Sequence, residues 1–183
     1  MTITLRSGER LPNDIIESLK NANSNLTTTR NIQNYANEIA DIFGISSRKI
    51  GLREKYFLGG FIEGEGSVNV SAKKLENAAY GILIDPEFSI AQHVNGIELL
   101  YLALITFQTG RIRYKSGSNA TLVLVIDNRD VLENKVVPFY KRYVNQIGST
   151  VKTERVKTFS KVLMHLSSNH QKDLNILTNV AEI

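Results

Sequence analysis

Two carboxylates stand at the foot of a glycine-rich helical run: Glu63 and Glu65 in "LGGFIEGEG", Leu58 to Gly66. Carbonyls left unpaired at a helix C-terminus already carry partial negative charge, so acidic side chains there are disfavoured unless something positive answers them. Gly60 and Gly64 lie four residues apart, a spacing at which small residues let a second helix backbone approach. Two copies of the helix packed through these glycines, with Phe61 alongside, would gather two Glu65 carboxylates at two negative helix ends. A divalent cation between them and an anionic ligand makes such a cluster tolerable. Magnesium favours octahedral oxygen sites built from one or two carboxylates, waters and phosphate oxygens, and suits it. On the alternative reading Gly59, Gly60 and Gly64 serve packing within one chain and the glutamates face water.

A second set of polar residues follows at period two. Ser67, Asn69, Ser71 and Lys73 alternate with Val68, Val70 and Ala72, which predicts a half-buried strand. Tyr80 to Gln92 is a second strand-like run, bent at Asp85-Pro86 because proline cannot donate to a ladder. "GRIRYKSGSNATLVLVIDN" reads as a hairpin: Arg111, Arg113 and Lys115 alternate with Ile112 and Tyr114, "SGSN" turns, and Leu122, Leu124 and Ile126 return. With helices on one face of the sheet, the other presents Ser67, Asn69, Ser71, Lys73, Arg111, Arg113 and Lys115. Lys74, Glu87, Ser89, Ser116, Ser118 and Asn119 complete the polar set on the same strands and turn. Hydrogen-bonding groups read base edges and cations hold phosphates, so this mixture suits a nucleic-acid groove. A merely solvated sheet face is the alternative.

The elements around these residues are helical. Residues 10–50 predict two helices, one from Asn13-Asp14 and one from about Thr29, the latter patterned by Ile32, Tyr35, Ala36, Ile39 and Phe43 with a Gly44 stop. The polar "NANSNLTTT" is expected to separate them. Further helices are expected over Arg53 to Gly64 and Gly96 to Phe107, then a helical tail broken at Pro138, around "QIGST" and around "SSNH". The order helix, two strands, helix, two strands, helices predicts an α+β domain with an antiparallel sheet covered on one face. The division expected is an N-terminal helical extension, residues 1–52, and a main domain with its tail, residues 53–183. No internal repeat supplies a second copy of the acidic motif.

The chain has 183 residues, 42% of them hydrophobic, enough for one filled core. It has no cysteine, which excludes disulfides, thiolate metal sites and cysteine nucleophiles; any metal takes oxygen or histidine ligands. The net charge of +4 permits a nucleic-acid partner. No run of eighteen apolar residues and no signal-like N-terminus point to a membrane.

"LGGFIEGEG" resembles the nine-residue motif of the LAGLIDADG homing endonucleases, and the strand and helix order over residues 53–145 follows that family. The likeness extends to "LPNDIIESLK", "DPEFSIAQHVNG" and "VVPFYKRYV", including the N-terminal extension, and so covers nearly the whole chain. One motif implies the homodimeric branch. The resemblance implies an intron-encoded DNA endonuclease that makes a staggered double-strand break with 3′ overhangs in a long pseudo-palindromic duplex site. The partners implied are a second copy of the chain, that DNA and, under a maturase reading, intron RNA. It implies a magnesium or manganese cofactor on Glu65, a water-orienting role for Gln92 and a structural role for Glu63. Its basic helper falls near Lys141 and Arg142, where the family's lysine position aligns with Tyr143. An organellar setting, plastid stroma or else mitochondrion, and a target in a large-subunit ribosomal-RNA gene are implied in the same way.

Rival chemistries are weaker. His93 stands apart from His165 and His170, which disfavours a histidine-metal nuclease. Glu133-Asn134-Lys135 lies in helical sequence, with Asp127 or Asn128 as its cap. A maturase, or a DNA-binding module that does not cut, remains the non-enzyme alternative.

Overall fold

The computed structural model describes residues 3–166, apart from 47, 48, 79 and 147. Helices α1 (Asn13–Thr29), α2 (Ile32–Phe43) and α3 (Leu52–Glu65) precede strands β1 (Gly66–Lys74) and β2 (Ile82–His93). Helix α4 (Ile97–Phe107), strands β3 (Arg111–Tyr114) and β4 (Thr121–Ile126), and helices α5 (Arg129–Val131), α6 (Val137–Tyr143) and α7 (Thr150–Leu166) follow. The strands form one antiparallel sheet in the order β1-β2-β4-β3. This is the α+β arrangement expected.

Helix α4 is nearly all apolar, and seven of its residues, from Ile97 to Phe107, are buried. A helix apolar on all sides has to lie in the centre of the core. It packs against Phe88 and Ile90 of β2, and Leu122 and Leu124 of β4 join the same cluster. Leu58 and Ile62, four apart on α3, are fully buried there and hold the motif helix to the sheet; burying two such side chains contributes about 3–6 kcal/mol. Leu19, Ala22, Tyr35, Ile39 and Phe43 of α1 and α2 join this cluster too, so these two helices share the core of the remainder.

Three local expectations need correction. The polar segment "NANSNLTTT" is helix, not linker, and α1 continues through Thr29. The hydroxyls of Thr27, Thr28 and Thr29 donate to the carbonyls of Asn23, Ser24 and Asn25 at 3.0, 3.1 and 2.9 Å, which absorbs these polar groups along the helix. Arg30, at φ 53°, then closes α1, and the Asn31 side chain caps α2 through Asn34 N–H at 3.0 Å. Pro138 does not break the tail. A π turn, Leu132–Val136, comes first, with Val137 N–H on Leu132 O, and Pro138 enters in the first turn of α6, where its missing N–H is tolerated. Strand β1 is half-buried only at its start: from Asn69 onward it is exposed on both faces, Val70 to 42%.

The break around "QIGST" is present between α6 and α7, whereas "SSNH" lies outside the described residues. Pro86 pairs with Val70 in a stretch where, among the described residues, β2 has no strand on its other side, so no ladder bond is lost there.

Candidate functional site

The glycines of the motif helix divide between two duties. A Cβ on Gly59 would stand 2.5 Å from the Tyr143 carbonyl oxygen, and one on Gly66 would stand 2.7 Å from Ile62 O, so both positions serve close approach within the chain. Gly60 is exposed, and a Cβ on Gly64 would meet nothing within 4 Å. The outward side of α3 also carries Leu52, Tyr56 and Phe57, exposed to 60%, 46% and 59%. Phe61 is half-buried and turns partly toward the core. The outward face is therefore apolar and small at its centre, and Tyr56 and Phe57 belong to it although the motif spacing did not single them out.

The two glutamates also diverge. Glu63 accepts the Tyr140 hydroxyl at 3.0 Å and Ser149 N–H at 2.8 Å, beside Gly148, where a Cβ would crowd its carboxylate at 2.9 Å. Burial raises its pKa, but these hydrogen bonds and the nearby Lys152 charge outweigh that and hold the carboxyl below its ordinary range. Glu65, the last residue of α3, is exposed and makes no hydrogen bond or ion pair among the described residues. Its oxygens are hard donors facing open space. They fit one corner of a magnesium or manganese shell whose other ligands are waters and phosphate oxygens. No group of three or more His, Asp or Glu side chains forms a complete metal cage among the described residues.

Lys152, near the start of α7, was not singled out by its sequence context. Its ammonium donates to Ile62 O at 3.2 Å and to Glu63 O, and so caps the carbonyl end of α3. Lys141 and Arg142 are exposed on α6, and the Arg142 guanidinium lies 5.4 Å from the Tyr143 ring centre. Gln92 is half-buried on the helix side of β2, and its Oε1 accepts His93 N–H at 2.8 Å. The register Gly66↔Ile90 carries β2 past β1 toward the end of α3, the end that bears Glu65.

On the open face of the sheet the ladder aligns Ser67 with Ser89, Asn69 with Glu87 and, on β3, Arg111 with Val125. Three of its cations are paired with carboxylates: Lys73 with Asp85, Arg111 with Asp127, and Arg113 with Glu87 at 4.0 Å. Val125 shares this face, opposite Arg111 in the ladder, yet is only 1% exposed. Lys74 has the other parity and projects to the side of Val70 and Ala72. Ser71 Oγ is 3.4 Å from Asp85 O.

The hairpin turn is less free than its composition suggests. Ser118 Oγ donates to Lys115 O at 2.7 Å and accepts from Thr121 N–H at 3.1 Å, while Asn119 takes Leu11 N–H on its carbonyl at 2.8 Å and donates to Gly8 O at 3.3 Å. Both are engaged in shaping the turn and anchoring the N-terminal segment. Lys115 and Ser116 are exposed. The rival motifs are absorbed by structure: Lys135 Nζ caps α4 through Phe107 O at 3.0 Å, Asn128 caps α5 through Val131 N–H at 3.1 Å, and His93 Nδ1 accepts Asn95 N–H at 3.2 Å.

Comparison with known proteins agrees with this geometry. Residues 58–163 match the family model described as LAGLIDADG endonuclease. The chain is 47% identical over 175 residues to the DNA endonuclease I-CeuI of Chlamydomonas moewusii, covering 96% of this chain and 80% of that protein. It is 25% identical over 111 residues to the homing endonuclease I-ApeII of Aeropyrum pernix, covering 61% of this chain and 63% of that one. The solved structure of the group I intron-encoded homing endonuclease I-CeuI complexed with DNA superposes at a TM-score of 0.92 with 46% identity, over 96% of this chain and 85% of that one. The archaeal intron-encoded I-Vdi141I, also complexed with DNA, superposes at 0.61 with 32% identity, over 71% and 78%. A glycine-faced helix ending in an outward carboxylate, joined to a four-stranded antiparallel sheet and matched over most of the chain, makes this protein a member of the LAGLIDADG endonuclease family.

Proposed function

We propose that the chain is a site-specific homing endonuclease that acts as a homodimer on a long, pseudo-palindromic DNA duplex. The observation that carries this reading is Glu65, an exposed and unpartnered carboxylate at the foot of a helix whose outward face is glycine and exposed aromatic rings. Two such helices in contact through Gly60 and Gly64, flanked by Tyr56, Phe57 and Phe61, place two Glu65 side chains near one dyad. Each sheet then lies along the major groove of one half-site, with Ser67, Asn69, Ser71, Ser89 and Glu87 offering donors and acceptors to base edges. Arg111, Arg113, Lys73, Lys115 and Ser116 offer cations and hydrogen bonds to bases and phosphates.

Glu65 would hold a magnesium or manganese ion beside the scissile phosphate. Such an ion supplies Lewis acidity, lowering the pKa of a water and offsetting charge on the leaving oxygen. Gln92 orients the attacking water, and Glu63 stays out of the reaction because its oxygens are occupied by Tyr140 and Ser149. Each protomer cuts one strand, which leaves a staggered break with 3′ overhangs. That I-CeuI is encoded in a group I intron and comes from Chlamydomonas moewusii supports a host intron for this chain and, from its algal source, an organellar gene in the plastid or the mitochondrion; a large-subunit ribosomal-RNA target rests on the motif resemblance alone.

The test is a plasmid carrying an intronless chloroplast large-subunit rRNA gene segment, incubated with magnesium, then with calcium or chelator. One magnesium-dependent double-strand break is the expected result. Specific binding without a cut under every divalent ion would transfer the function to DNA binding or to intron RNA.

A further inference from the structure

We propose that Lys152 is a positioning residue for the metal carboxylate: its ammonium fixes the last turn of α3 and so fixes the aim of Glu65. The inference rests on the reading of Glu65 as a metal ligand. The last turn of α3 contains no basic residue, yet it ends in two carboxylates at the negative end of the helix. Left alone, that turn frays. Lys152 comes from α7, ninety positions from Ile62, and donates to the carbonyls of both Ile62 and Glu63.

The Ile62 carbonyl is shared, since Gly66 N–H bonds to it as well. Glu65 is thus bracketed, with a pinned Glu63 carbonyl two residues before it and a pinned Gly66 amide directly after it. The lysine itself starts from a fixed base. Ser149 Oγ accepts Lys152 N–H at 3.3 Å, Ser149 O accepts Thr153 N–H at 3.0 Å, and Ser149 N–H is bound to Glu63. Lys152 lines a narrow cleft with Gly66, Ser67, Tyr140, Arg155 and Val156. Its ammonium is committed to the helix end by its bonds to the Ile62 and Glu63 carbonyls. Glu63 cannot substitute, being acidic and already bound, and Arg155, the other cation of this cleft, makes no hydrogen bond to α3 among the described residues.

The experiment is Mn2+ binding to the full-length protein held on its own cleavage product, followed by electron paramagnetic resonance, for wild type, Lys152→Met, Lys152→Arg and Glu65→Gln. Lys152→Met is expected to weaken Mn2+ binding about tenfold, as loss of a supporting contact to a metal ligand does, with DNA affinity changed less than about twofold. Lys152→Arg, which keeps charge and donors, is expected to recover most of it. A folded Lys152→Met protein that binds Mn2+ as tightly as wild type, or more tightly, overturns the proposal, even when its melting temperature falls. If Lys152→Met does not fold, Lys152→Gln is held to the same criterion, and failure of both to fold overturns the assignment by making Lys152 a residue of the fold alone. Unchanged Mn2+ binding in Glu65→Gln would instead overturn the underlying reading of Glu65.

Discussion

Tyr140 donates its hydroxyl to the Glu63 carboxylate at 3.0 Å, so the first glutamate of the motif is held by its own fold while Glu65, two residues on, faces outward. Two residues are just over half a helical turn, which points the Glu63 side chain at α6 and leaves that of Glu65 at the open end.

Glu63 carries a pH signature. Its folded pKa lies below the ordinary carboxylate value, so its stabilisation is complete above about pH 4.3 and is lost as pH falls through the lower folded value. Glu63→Gln should cost about 1–3 kcal/mol at pH 7, the range for hydrogen bonds to a charged group, and the gap from wild type should narrow in the acid limb. Urea unfolding at pH 7 and at pH 3 measures both; a gap independent of pH would deny the carboxylate this role.

Glu65→Gln should leave stability within about 0.5 kcal/mol of wild type, since the side chain is exposed and unpartnered. Cleavage should fall by at least ~100-fold while binding to the target in calcium persists. Gel-shift and cleavage assays on one preparation separate these effects, and near-normal cutting would remove Glu65 from the metal role.

Gly59 and Gly64 should respond oppositely. Gly59→Ala forces a Cβ against the Tyr143 carbonyl and should destabilise the protomer by about 1–3 kcal/mol. Gly64→Leu meets open space within the protomer and should leave its folding intact, yet sedimentation equilibrium should find the dimer weakened. A Gly64→Leu protein that dimerises normally would place the dimer contact elsewhere.

Arg113 is paired with Glu87 at 4.0 Å and has to turn from it to meet DNA. Arg113→Ala should cost ~1–3 kcal/mol at a single base pair if the guanidinium reads a guanine. An equal loss at every sequence, with a salt slope shallower by roughly one, would mark it as a phosphate contact. Glu87→Gln should then raise affinity for non-specific DNA by removing a negative charge from the face.

Much of this was readable from residue pattern. Period-two alternation in Ser67 to Lys73 and Arg111 to Lys115 placed the open face, and Gly96 to Phe107 read as a helix, though not as the central one that α4 proves to be. The acidic motif and its glycine spacing marked the residues on which the proposed site rests. What pattern could not give were the long-range polar contacts. Nothing near Lys152 in sequence indicates that it caps a helix ending at Glu65, and nothing in "NANSNLTTT" indicates that three threonines will bond back along α1. Ser118 reads in sequence as a turn residue of the nucleic-acid-facing polar set, yet the tight turn consumes its hydroxyl, because the chain reversal brings Lys115 O and Thr121 N–H within its reach. Asp85 was read as a bend residue, and the cross-strand pairing with Lys73 emerged only once the sheet register was fixed.

Among the described residues the outer edge of β3 has no neighbouring strand, and side chains finish it instead. Ile112 N–H donates to the Tyr35 hydroxyl at 2.8 Å, that hydroxyl bonds to Asn23 Oδ1 at 3.0 Å, and Asn23 Nδ2 returns to Ile112 O at 2.9 Å. An uncovered edge recruits strands from other chains and seeds aggregates. During translation α1 and α2 leave the ribosome before β3 is made, so the cover is waiting when the edge emerges. A chain begun at residue 53 would therefore fail first as a solubility problem, and its loss of activity would say nothing about contacts between the extension and DNA.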